Sequence, residues 1–187
     1  MSTYGTAEPA GVAEPVDAED HAGGIYRLDD QIGFLIRVAN QRHAALFGAN
    51  MIEGLTPPQF ATLAKLREIG PCSQNRLGRL IHLDAATIKG VVDRLGMRGL
   101  VHTTDDRLDR RRIAVDLSKR GRAVADAAIA VAKDITHATL EPLTLEEREQ
   151  VVRLLRKLGS CPIGPISTTV DSSSWPRLDP VSLPVGA

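Results

Sequence analysis

Lysine and arginine side chains are concentrated in one stretch of this 187-residue chain. Of the 23 Lys and Arg, 14 lie between Lys65 and Arg122, against 7 of the 23 Asp and Glu, so this stretch carries about +7 and the remainder about −7. Guanidinium and ammonium groups bind phosphate oxygens through charge-assisted hydrogen bonds. The pattern therefore indicates attachment to a polyanion such as a nucleic acid, although the formal net charge of the whole chain is zero.

Two helical patterns and a pair of strands are expected to position these cations. Ser73 is expected to cap a short helix, and Asp84 a second helix that ends at Gly99. Strand-forming residues at 100–103 and 113–117 flank a loop rich in Asp and Arg, which is typical of a β-hairpin wing. Residues 73–117 are therefore predicted to form a winged helix-turn-helix.

The helix after Asp84 has the width to enter the major groove, where side chains near its N-terminus read base edges. Thr87 and Lys89 are the base-reading candidates, whereas the polar start of the preceding helix is suited to phosphate oxygens. Long cations on the wing loop are suited to a narrow minor groove. The residues expected to bind DNA are Ser73, Gln74, Asn75, Arg79, Ala86, Thr87, Lys89, Arg94, Arg107, Arg110 and Arg111.

The wing charges have a simpler alternative interpretation. Asp106 and Asp109 could neutralise the neighbouring arginines in a solvated turn, as in most surface charge clusters. The helix-turn-helix pattern directly upstream favours the DNA-binding interpretation.

The remaining helices follow from periodicity and capping residues. An apolar stripe at 25–46 predicts a long amphipathic helix with a buried face, and Thr56 opens a second helix that Gly70 stops. An Ala- and Val-rich helix of about twenty residues follows Ser118, and a capping box at Thr144 precedes a last helix. The chain is therefore expected to be mainly α-helical, with a small β-hairpin wing.

Composition sets the expected domain boundaries. Residues 1–24 are dominated by Ala, Glu, Pro and Gly, which predicts a disordered N-terminal arm. Residues 159–187 are rich in Pro, Ser, Thr and Gly, which predicts a flexible C-terminal tail. The folded domain is expected at 25–158.

Several classes of protein are disfavoured. No apolar run approaches the roughly 18 residues that cross a bilayer, so we expect a cytoplasmic protein without a membrane partner. Cys72 and Cys161 are far apart, which disfavours a disulfide framework and a zinc site. The motifs of metalloproteases, serine hydrolases and nucleotide-binding enzymes are missing from the sequence, so we expect neither an enzyme nor a cofactor.

Four motifs carry a resemblance to a known family. The chain resembles the MarR family of transcriptional regulators in its wing, wing exit, second-helix opening and recognition-helix exit, over most of residues 25–158. The matching segments are 106–111 (DRLDRR), 115–121 (VDLSKRG), 55–60 (LTPPQF) and 92–101 (VDRLGMRGLV).

The resemblance implies a homodimer in which helices at 25–50 and 119–158 form the dimerisation region around a winged module at about 56–118. Two winged modules would then reach adjacent major grooves of a pseudo-palindromic operator in double-stranded DNA. Half-sites would lie about one helical turn apart, roughly 10 base pairs.

The resemblance also implies a small-molecule effector. In this family, small anionic aromatic compounds often bind between the dimerisation helices and the winged module and loosen operator binding. This implies a repressor released by a small aromatic carboxylic acid, with regulators of benzoate, hydroxycinnamate or nicotinate breakdown as analogues. The candidate effector-binding residues are Phe34, Arg37, Arg42, His43, Phe47 and Phe60. Their simpler alternative is an ordinary core with surface cations.

Two other functions remain open at the level of sequence. A redox-responsive regulator of the same family would act through Cys72 or Cys161. A winged-helix module that binds only proteins would be an adaptor without DNA affinity.

Overall fold

The computed structural model describes residues 27–105 and 113–161. The expected arm at 1–24, nearly all of the expected tail and the wing tip at 106–112 lie outside the described residues. The elements in chain order are α1 (Ile32–Asn50), α2 (Pro57–Ile69), β1 (Cys72–Ser73), α3 (Gln74–Leu80), α4 (Ala85–Met97), β2 (Val101–Asp105), β3 (Ile113–Leu117), α5 (Lys119–Thr139) and α6 (Leu145–Ser160). The expected class, mainly helical with a small sheet, is confirmed.

The sheet has three antiparallel strands in the order β1-β3-β2. Val101 of β2 lies opposite Leu117, as the hairpin predicts, and Cys72 of β1 lies opposite Val115. The strand β1 was not predicted, because two residues are too short to show the alternation of a strand. It ties the segment before α3 to the wing hairpin.

The first long helix differs from its prediction. It begins at Ile32 rather than near residue 25, after a separate short 3₁₀ turn at Leu28–Asp30 and an extended Gln31. It also continues through Gly48 to Asn50, because one glycine within a helix costs only about 1 kcal/mol.

The helix-turn-helix packs at short range. A Cβ atom on Gly78 of α3 would lie 3.0 Å from the Leu83 carbonyl oxygen and 3.1 Å from Cγ2 of Ile88 on α4. The missing side chain therefore lets the two helices meet closely, and Leu77 of α3 and Ile88 of α4 are fully buried. Leu80, the last residue of α3, is 41% exposed.

Two apolar stripes lie outside this core. In α1 only Phe47 is buried, while Ile32 and Ile36 are 56% and 48% exposed, so the described residues of one chain do not cover the expected buried face. In α6 none of the residues is buried, and its exposed large apolar side chains are Leu145, Leu154, Leu155 and Leu158.

Candidate nucleic-acid interface

The helix α4 has one core face and one exposed face. Its buried residues are Ile88, Val91, Val92 and Leu95. Ala86, Thr87 and Lys89 are exposed, as the sequence predicts for a recognition helix. The residues that hold α4 in place are therefore different from those available to a duplex.

The N-terminus of α4 is fixed by Asp84. The Asp84 carboxylate accepts the backbone N–H of Thr87 at 2.8 Å and the Thr87 hydroxyl at 2.6 Å, and these bonds lower the pKa of the Asp84 carboxyl. The cap is therefore complete above the ordinary pKa of an aspartate and is lost as pH falls through the lowered value. Because the Thr87 hydroxyl donates to Asp84, its oxygen remains an acceptor and its methyl remains an apolar contact for a base.

Two cations extend the exposed face. Lys89 Nζ lies 3.3 Å from Asp93 Oδ2, and both side chains are more than half exposed, so this pair contributes little and leaves Lys89 available to DNA. A Cβ atom on Gly90 would lie 3.3 Å from Nη1 of Arg94, so the glycine lets Arg94 lie along the helix.

The start of α3 is mostly exposed. The Ser73 hydroxyl accepts the backbone N–H of Arg76 at 3.4 Å, which confirms Ser73 as the N-cap. Asn75 and Arg79 are exposed, while Gln74 is half-buried. Arg76 is also exposed here, although it was not among the residues expected to bind DNA. Its position one turn after the Ser73 cap could have identified it as a candidate phosphate contact. The expected wing contacts Arg107, Arg110 and Arg111 lie outside the described residues.

The two cysteines differ in environment. Cys72 is 4% exposed in β1, and burial raises the pKa of its thiol, an effect that the charge of Arg76 partly offsets. Cys161 is exposed after α6. Thiolate is therefore scarcer at Cys72 than at an ordinary cysteine.

Alkylation at neutral pH should separate these two thiols. We expect iodoacetamide to modify Cys161 more than about tenfold faster than Cys72, because the thiolate is the nucleophile and Cys72 is buried. Peptide mass spectrometry measures both rates, and in denaturant the rates should converge. Equal rates in the folded protein would restore Cys72 as a redox candidate.

Three of the expected effector residues lie together. The rings of Phe47 and Phe60 meet edge to face at 6.0 Å, and the His43 ring lies 6.3 Å from Phe47. The Thr139 hydroxyl donates to the Ile135 carbonyl, so its oxygen accepts the hydrogen bond of 3.0 Å from His43 Nδ1. This cluster joins α1 and α2 to the end of α5.

Of the other three expected effector residues, Phe34 and Arg37 lie away from this cluster and Arg42 lies beside it. The Arg37 guanidinium stacks 4.9 Å from the Phe34 ring centre. Phe34 lies 13 residues before Phe47, which is about 20 Å along α1. Arg42 donates to the Ala138 carbonyl at 3.1 Å and pairs with Glu141 at 3.7 Å. The structure therefore does not bring all six residues into one pocket of a single chain.

A groove of about 470 Å³ runs between α2 and α5 beside Phe60. Its apolar floor is flanked by Lys133 and by Arg67, whose Nε donates to Asp126 Oδ1 at 2.7 Å. The lining residues are Phe60, Ala64, Arg67, Glu68, Ile129, Ala132, Lys133 and Thr136. Sequence reasoning missed Arg67 and Lys133, although Ile129, Lys133 and Thr136 recur at the three- and four-residue spacing of one helix face.

Within residues 27–105 and 113–161, no helix is long and apolar enough to cross a membrane. The same residues contain no group of three or more His, Cys, Asp or Glu side chains placed to hold a metal ion.

Comparison with known proteins agrees with this geometry. Residues 55–113 match the model of the MarR family. The HTH-type transcriptional repressor NicR of Pseudomonas putida is 41% identical over 134 residues, which cover 71% of this chain and 85% of that repressor.

Two solved structures are also similar. A probable transcriptional regulator from Pseudomonas aeruginosa is 55% identical with a TM-score of 0.68, over 71% of this chain and 99% of that chain. Bordetella bronchiseptica BpsR, whose DNA binding is regulated by 6-hydroxynicotinic acid, is 37% identical with a TM-score of 0.70, over 74% of this chain and 100% of its own. The chain therefore belongs to the MarR family and is a winged helix-turn-helix transcriptional regulator rather than an enzyme.

Proposed function

We propose that this chain is a homodimeric cytoplasmic repressor that a small aromatic carboxylic acid releases from its operator, and that it controls genes for the breakdown of aromatic compounds. The observation that carries the proposal is the capped, exposed and polar face of α4, which presents Thr87 and Lys89 beside α3. Similarity to the repressor NicR and to BpsR supports both the repressor role and the class of effector.

The exposed apolar stripes support the homodimer. Ile32 and Ile36 of α1 and Leu154, Leu155 and Leu158 of α6 are large apolar side chains that water would otherwise surround. A second copy of the chain would cover them, and two-fold symmetry would place two copies of α4 on successive major grooves. The wing residues Arg107, Arg110 and Arg111 would then contact the flanking minor grooves.

The groove between α2 and α5 supports the class of effector. Its floor holds Phe60 and Ile129, on which an aromatic ring can pack, while Lys133 and Arg67 can pair with a carboxylate. A carboxylate that pairs with Arg67 would compete with Asp126 of α5. Occupancy would therefore change the contact between α5 and the first helix of the winged module.

Fluorescence anisotropy with duplexes from the DNA flanking the gene tests this function. We expect 6-hydroxynicotinic acid, a benzoate or a hydroxycinnamate to weaken operator binding at least tenfold.

Lys133→Met should bind the operator like the wild type but respond less to the acid, because it loses one carboxylate partner. Lys157→Met in α6 removes the same charge outside the groove and should respond normally. Operator affinity that none of the three acids changes would contradict the proposed effector class.

A further inference from the structure

We propose that Glu53 is a positioning residue whose carboxylate holds the end of the recognition helix against the junction between α1 and α2. This inference rests on the proposed DNA-binding function but concerns a residue outside the duplex-facing surface. Glu53 lies in the short turn Ile52–Gly54 that joins the two helices.

The backbone of Glu53 adopts an unusual conformation. Its φ of 56° is in the left-handed region, which costs a residue with a side chain about 1 kcal/mol or more. Such conformations persist where the surrounding structure fixes them. A glycine would avoid this cost, so the side chain is expected to have a compensating interaction.

Two arginines supply that interaction. Arg98 Nη2 donates to the Glu53 carbonyl oxygen at 2.7 Å and lies 3.3 Å from Oε2 of the same residue. Arg120 Nη2 donates to Glu53 Oε2 at 3.1 Å, and its Nη1 donates to the Arg98 carbonyl at 2.9 Å. The Glu53 side chain is 35% exposed, and its carboxylate accepts from both guanidinium groups.

These contacts join three separate parts of the fold. Arg98 is the C-cap of α4, and Arg120 lies in the first turn of α5. The Ser118 hydroxyl, which precedes α5, also donates to the Gly99 carbonyl at 2.7 Å. Through its carboxylate and its carbonyl oxygen, Glu53 therefore links the end of the recognition helix and the start of α5 to the turn between α1 and α2.

The geometry makes the far end of α4 sensitive to this link. Thr87 lies 11 residues before Arg98, about 16 Å along the helix, so a tilt of about 5° at Arg98 moves Thr87 by about 1.5 Å. Base recognition tolerates displacements of only about 0.5 Å. Loss of the carboxylate should therefore weaken specific binding although Glu53 does not face the duplex.

Charge alone predicts the opposite effect. Replacing a carboxylate by an amide removes one negative charge from each protomer. The net charge therefore becomes more positive by one, which favours binding to phosphates. The sign of the change in operator affinity therefore distinguishes positioning from simple electrostatics.

The test compares Glu53→Gln with the matched control Glu146→Gln, which removes one exposed carboxylate from the first turn of α6. We expect Glu53→Gln to weaken operator binding about fivefold, equivalent to about 1 kcal/mol. Its binding to a duplex of unrelated sequence, and both affinities of Glu146→Gln, should be unchanged or slightly tighter. Operator affinity of Glu53→Gln that equals or exceeds that of the wild type would overturn the proposal.

A measurement without DNA keeps this test independent of the proposed function. Hydrogen–deuterium exchange at residues 98–101 should be faster in Glu53→Gln than in the wild type, and unchanged in Glu146→Gln. If the wild-type protein bound no duplex, the proposed function would fail, while the exchange rates would still decide whether Glu53 holds this junction. Unchanged exchange at these residues would overturn the proposal.

Discussion

Gly121→Ala should lower the free energy of unfolding by about 3 kcal/mol or more, and the melting temperature by about 10 °C. A Cβ atom at this position of α5 would overlap the Leu100 carbonyl oxygen and lie 2.8 Å from the carbonyl carbon. The neighbour is backbone, and the same carbonyl already accepts the backbone N–H of Ser118 at 3.0 Å, so it cannot rotate away cheaply. Thermal unfolding followed by circular dichroism measures the effect.

Gly48→Ala is the matched control for Gly121→Ala. Gly48 also lies within a helix, but a Cβ atom there would meet nothing within 4 Å. Alanine favours helix over glycine by about 0.5–1 kcal/mol, so this variant should melt slightly higher than the wild type. Both variants must be compared at one protein concentration, because the proposed dimerisation would make the melting temperature depend on concentration. Equal melting temperatures for the two variants would contradict the close contact of α5 with Leu100.

Replacement of both Arg110 and Arg111 by Ala should weaken operator binding at least about 100-fold. Each arginine in a DNA contact contributes about 1–3 kcal/mol, and a homodimer would lose four of them. The dependence of log affinity on log salt should also become shallower, by about 1 for each lost phosphate contact. Anisotropy titrations at several salt concentrations measure both quantities.

The double variant Arg153→Ala, Arg156→Ala is the control for the wing substitutions. Both arginines are exposed on α6, and their removal lowers the net charge by the same amount. We expect operator affinity to fall much less than in the wing variant. Similar losses in the two variants would indicate a long-range charge effect and would count against the wing as a DNA contact.

Local sequence signals predicted the N-terminal caps of several helices. Asp84 and Ser73 cap α4 and α3 as expected, and Thr144 and Glu147 form the predicted capping box with a hydrogen bond of 2.8 Å. A cap and its partner lie within three residues of each other, so a pattern read along the chain contains both. The exposed and buried faces of α4 followed from the helical period in the same way.

Features that depend on distant residues were not predictable. The strand β1 exists because Cys72 pairs with Val115, 43 residues later. The groove cation Arg67 is set beside α5 by its contact with Asp126, and the Glu53 link involves residues 45 and 67 positions away. The exposed stripe of α1 was expected to be buried, because periodicity identifies an apolar face but not the molecule that covers it.

The stoichiometry and salt dependence of binding to the DNA beside the gene test dimeric DNA binding most directly. We predict that two protomers bind one duplex and that the affinity falls steeply between about 50 and 200 mM salt, as counterions are released from the phosphates. A monomeric protein, or one that shows no salt-sensitive binding to any duplex from this region, would contradict the account and favour a protein-binding adaptor.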